Sequence, residues 1–156
     1  MDFAKYIKNF DSDTIYYGDK NFITNSQLGK LAHSPAKLEH YRKYGQDDTN
    51  ALLFGRAFHQ NILEPKKYKD QVISYDGVRR GKAWDEFKLN NDDKTIITKG
   101  EEKSLHKMRE KLLSIPRVKN LLSNGQAEVV NCWEDQDTGV YCKGKADYVR
   151  DENGRK

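Results

Sequence analysis

The chain predicts an α+β fold in a single partial domain. A helical stretch over residues 23–125 packs on an incomplete antiparallel sheet formed by residues 126–156. Three observations predict this. Apolar residues recur at helical spacing through the middle of the chain, as in Leu105, Met108, Leu112 and Ile115. Helix starts are marked by capping boxes, Thr24-Asn-Ser-Gln27 and Thr98-Lys-Gly-Glu101. Two strand-like runs, Ala127–Trp133 and Val140–Val149, then flank a turn around Asp135–Gly139. Helices first and a hairpin afterwards is an α+β order.

Residues 1–22 are polar and Tyr-rich and read as irregular. The Thr24 box opens a short helix with Leu28 and Leu31 turned inward. Ser34-Pro35 opens a second helix, with Pro at its first position and Gly45 at its end. Leu38 and Tyr41 face the core there. Thr49 opens the most apolar helix, Asn50 to Leu63, which stops before Pro65. Leu52, Leu53, Phe54, Ala57, Phe58, Ile62 and Leu63 wrap most of its circumference, so it reads as central and buried. A short helix around Arg80–Leu89 follows. The Thr98 box begins a long helix that Pro116 breaks, and a continuation through Leu121 and Leu122 ends at Gly125.

Bulk composition excludes little. The hydrophobic fraction is 36%, the charged fraction 33%, and 28 basic against 24 acidic residues leave +4. That excess is too small to establish an anionic partner. No apolar run approaches the ~20 residues that span a bilayer, and the start lacks the apolar core of a signal peptide. The expectation is a cytoplasmic protein without a membrane partner. Cys132 and Cys142 lie on facing strands and read as reduced thiols. With no CxxC pair, a zinc or iron–sulfur site has no support.

The chemistry concentrates in three places. Gly55-Arg-Ala-Phe-His59 puts Gly55 one helical turn from His59. A glycine inside a helix costs about 1 kcal/mol against alanine. Either it admits something close beside His59, or His59 is a hydrogen-bonded core residue and Gly55 a packing notch. Asp147, in Lys143-Gly-Lys-Ala-Asp147, is a residue type disfavoured in strands. It is a ligand or hydrogen-bonding partner, or a surface residue of an edge strand. Glu128 falls opposite or nearly opposite the Ala146–Asp147 step, with strand register deciding whether the carboxylates share a face. Arg79, Arg80 and Lys82, ahead of Trp84, are candidates for phosphate contacts, as are Lys143 and Lys145 flanking Gly144. The competing reading is a solvated basic face. His33, His40 and His106 read as surface residues. Asn153-Gly154 is a type I′ turn signal. It implies a returning strand beside Asp147, and the sequence stops at Lys156 before one is made.

Gly-x-x-x-His on a helix, Glu on one strand and Gly-x-x-Asp on the next resemble the RecB/RecE-type branch of the PD-(D/E)xK nuclease superfamily. The order of Ile23–Leu28, Ser34-Pro35, the Gly55–His59 helix running into Leu63-Glu-Pro65, Arg80–Trp84 and Trp133–Asp147 is similar to phage and prophage RecE-like exodeoxyribonuclease VIII proteins. The resemblance implies a metal-dependent DNA exonuclease that works on double-stranded DNA ends and leaves single-stranded tails for recombination. It implies Mg²⁺ or Mn²⁺ as cofactor, His59 and Asp147 as metal ligands, and Glu128 as a ligand or as the carboxylate behind them. It further implies a single-strand annealing protein as partner and a homo-oligomer of the full-length form. The family's next strand, carrying an acid-x-Lys motif, is absent, so the 156-residue chain is expected to be catalytically dead or nearly so. The alternative is a non-catalytic DNA- or protein-binding module on the same scaffold. A third reading is a small helical interaction protein whose His59 is merely core.

Overall fold

The computed structural model describes residues 2–10 and 13–150, so the Asn153-Gly154 turn lies outside the described residues. The chain forms two compact units. Met1–Asp47 and Gln126–Val149 make the first, and Asp48–Gly125 with Arg150–Lys156 make the second.

In the first unit, the segment expected to be irregular holds two helices, α1 (Phe3–Asn9) and α2 (Asp13–Gly18). Asp2 caps α1, its carboxylate accepting the Lys5 N–H. Phe3, Tyr6 and Phe10 follow helical spacing, so the apolar face of this segment is aromatic. Those rings meet Phe22 and Tyr141 edge-on, with Tyr6–Phe22 at 5.1 Å and Phe3–Tyr141 at 5.8 Å between centroids. Phe10, Tyr16 and Phe22 are the buried core of the unit, with Val130, Cys132 and Tyr141 against them.

Helices α3 (Asn25–His33) and α4 (Pro35–Tyr44) pack on each other. The Thr24–Gln27 capping box forms as expected, each side chain bonding the other's backbone N–H. Ser34 and Pro35 open α4, and Gly45 closes it at φ 76°. Leu28 and Leu31 do not turn inward: they are 45% and 39% exposed, and Gln27 is buried in their place. The cap commits Gln27 to the inner face, and Leu28 follows about 100° around the axis.

Strands β3 (Gly125–Glu134) and β4 (Tyr141–Arg150) pair as a two-stranded sheet. Their connection is too short for a parallel crossover, so the pair is antiparallel. The turn falls where the sequence puts it. The Asp135 carboxylate accepts the Thr138 N–H and hydroxyl, and Gly139 takes φ 68°. Ile23 covers part of the other edge of β4, donating to the Tyr141 carbonyl and accepting the Lys143 N–H.

The second unit starts with α5 (Asn50–Leu63), capped by Thr49. Pro65 stops α5 but also opens α6 (Pro65–Gln71), which the sequence reading lacks. Also unexpected are β1 (Val72–Tyr75) and β2 (Thr95–Thr98), which pair in parallel from Val72↔Thr95 to Tyr75↔Thr98. Helix α7 (Lys82–Leu89) lies between them in sequence. Helices α8 (Lys99–Leu113) and α9 (Pro116–Leu121) follow the predicted Pro116 break. The core is Ala57, Tyr68, Ile97 and Leu105. Within this unit α5 is less buried than its apolar count suggests. Leu52 is exposed, whereas polar Gln60 and Asn61 are buried. The Gln60 side-chain amide donates to Gln71, and the backbone carbonyl of Asn61 accepts from Arg109.

Candidate metal centre

The centre is built from one face of the β3–β4 hairpin. Side chains alternate along a strand, which puts Lys143, Lys145 and Asp147 on the same face of β4. The Asp135 N–H donates to the Val140 carbonyl. Counting back from that pair brings Glu128 to the Ala146–Asp147 step, as expected from sequence. Their carboxylates share a face, with an oxygen of each within 4.8 Å of the other.

Glu128 has a left-handed backbone, with φ 56°. A side chain beyond glycine costs roughly 1–2 kcal/mol there, and such torsions accompany strand bulges. Strain of this kind gathers where a side chain must be aimed. Here it falls on the one β3 carboxylate that meets Asp147. Lys145 forms an ion pair with Glu128, at 15% and 19% side-chain exposure. Its ammonium also sits 5.3 Å from the ring centres of Tyr16 and Tyr17. Burial, reinforced by Tyr17, pushes the Tyr16 hydroxyl up to about 12 despite the opposing pull of Lys145.

The donor chemistry fits a hard divalent ion. Carboxylate oxygens are the ligands Mg²⁺ and Mn²⁺ prefer. At metal–oxygen distances of about 2.1 Å, two octahedral ligands stand about 3.0 Å apart as neighbours and about 4.2 Å apart across the ion. The Glu128–Asp147 separation needs little adjustment to reach that range.

His59, Arg79, Arg80 and Lys82 belong to the second unit. His59 is half-buried on α5 in the second unit. Beyond its chain neighbours and the backbone of its own helix, no described atom lies within 4 Å of a Cβ built on Gly55, so Gly55 is no packing notch. Arg80 and Lys82 are exposed. Arg79 is engaged within its own unit. It pairs with Glu101 at 3.0 Å, donates to the Ile96 carbonyl and Asn50, and lies 5.8 Å from the Trp84 ring. Burial alone would raise the Glu101 carboxyl. Hydrogen bonds from Thr98 and the Arg79 guanidinium outweigh it and hold that carboxyl below its ordinary value.

Lys143 does not fit the phosphate contact expected for it. It is 2% exposed, its ammonium donates to the Tyr16 and Asp19 carbonyls, and the Phe10 and Tyr16 rings lie 4.8 Å away. Burial pushes its pKa down, with Asp19 and Cys132 offsetting part of the fall. The participants that sequence reasoning missed are Tyr16 and Tyr17; the Tyr-rich composition of residues 1–22 was their only signal. Cys132 and Cys142 are free thiols that burial keeps above the ordinary thiol value.

Residues 24–155 match the model of a family described as a PDDEXK-like domain of unknown function, DUF3799. The chain belongs to that family. The match bears out the PD-(D/E)xK reading and its α+β class, and it gives the hairpin carboxylates a nuclease-type scaffold. No curated protein matches the chain. Among the described residues, no helix is long and apolar enough to cross a membrane.

Proposed function

We propose that this chain is a domain of a metal-dependent DNA exonuclease. It would act on duplex DNA ends for recombination. The observation that carries the reading is the Glu128–Asp147 carboxylate pair, held on one face of a hairpin inside a PDDEXK-like domain. His59 is the third proposed ligand, taken from the Gly-x-x-x-His resemblance. A bound Mg²⁺ or Mn²⁺ would lower the pKa of a water and neutralise charge on the attacked phosphate. Asp147 and Glu128 would supply the negative charge that retains the ion, and the hairpin fixes their spacing. Arg80 and Lys82, both exposed, would steer the DNA backbone, giving binding that is blind to sequence and weakened by salt. A phage or prophage source, a cytoplasmic location, an annealing-protein partner and oligomerisation of the full-length form belong to the same proposal.

Cleavage of linear duplex DNA in Mg²⁺ or Mn²⁺ tests it. A form extended by a strand bearing acid-x-Lys should cleave, and His59→Ala or Asp147→Asn should abolish that cleavage. Cleavage that survives Asp147→Asn would overturn the metal-centre assignment. An extended form that binds duplex ends without cutting would favour the non-catalytic binding module.

A further inference from the structure

Lys145 stands out because it already holds one of the two carboxylates. Its ammonium pairs with Glu128 at a place where both side chains are less than one-fifth exposed, so water and salt screen the pair poorly. A divalent ion that takes Glu128 must therefore compete with a resident cation. The same ammonium has a second place to rest, the faces of Tyr16 and Tyr17, each 5.3 Å away. Lys143 has no such freedom, since two backbone carbonyls and an aromatic enclosure hold it.

We infer that Lys145 is an internal counter-ion for the metal centre: a positioning residue that holds Glu128 in the absence of metal and yields it to a divalent cation by moving onto the tyrosine rings. This rests on the metal-centre reading above. It makes Lys145 an opponent of metal binding rather than a support for it. A merely structural lysine would, on removal, loosen the carboxylates and weaken metal binding. A competing counter-ion would, on removal, strengthen it.

The probe is Mn²⁺ itself, its free concentration followed by electron paramagnetic resonance during titration of the intact chain at low salt. Lys145→Met and Lys145→Gln should each tighten the Mn²⁺ Kd by about three- to ten-fold, the scale of one partly buried charge contact. Lys145→Arg, which keeps the charge, should leave it near the parent value. In a Glu128→Gln background, the Lys145→Met effect should vanish. Binding lost with Asp147→Asn but unchanged or weakened by both neutral Lys145 variants would overturn this inference alone. Binding that ignores Asp147→Asn would remove the metal centre and the inference together.

Discussion

The two ends of the β3–β4 sheet face treat a lysine in opposite ways. At one end Lys143 is sealed among Phe10, Tyr16 and Phe22, and its ammonium is spent on backbone carbonyls. At the other end, two residues along the same strand, Lys145 meets a carboxylate whose neighbour is a second carboxylate. One end is closed and apolar, with its charge dissolved in main-chain dipoles. The other is charged, strained at Glu128 and partly open to solvent. The contrast teaches that residue type alone does not say what a lysine does. The partners available at each step of the pleat decide it.

The largest way to break this contrast is at the closed end. Lys143→Ala should destabilise the chain by about 2–4 kcal/mol, because it leaves buried carbonyls without a donor and opens a void beside three rings. Urea unfolding with an unchanged slope would measure it. Lys143→Met, which restores the stem's volume, should recover part of that loss.

A smaller effect is pH-dependent. The Tyr16 hydroxyl is raised from 10.0 to about 12, so the unfolded chain gives up this proton first. The stability this contributes is fully present below pH 10 and is lost as pH rises towards 12. Its size is on the order of 2 kcal/mol. Tyr16→Phe should flatten the fall in stability between pH 10 and 12, read from unfolding midpoints across that range. The smallest effect belongs to the open end. Asp147 is exposed, so Asp147→Asn should change unfolding free energy by less than about 0.5 kcal/mol while removing Mn²⁺ binding. A large loss of stability there would make Asp147 part of the scaffold and erase the distinction between the two ends.

What could be seen in the sequence was local. The Thr24–Gln27 and Thr98–Glu101 boxes span three residues and form as read. The turn at Asp135–Gly139 sets the hairpin register, and that register brings Glu128 beside Asp147. Strands β1 and β2 were hidden because each is four residues long and finds its partner more than twenty residues away. Helix α1 was hidden because its apolar face is made of aromatic rings that need Phe22 and Tyr141 to bury them. Arg79 reads as basic surface until Glu101 and the Ile96 carbonyl are brought to it. Lys143 is the extreme case, since its partners Tyr16 and Asp19 lie more than a hundred residues upstream. The role proposed for His59 came from the resemblance, because nothing in its helix distinguishes a ligand from a core imidazole.

Ile23 has a consequence for any strand that would join β4. It already uses the outward-pointing carbonyl of Tyr141 and the N–H of Lys143. Alternation leaves the equivalent groups of Lys145, Asp147 and Val149 aimed at the same margin. A newcomer is therefore barred from the aromatic half and admitted only alongside the acidic half. One isoleucine thus acts as a doorstop, steering an incoming segment to the stretch that contains Asp147.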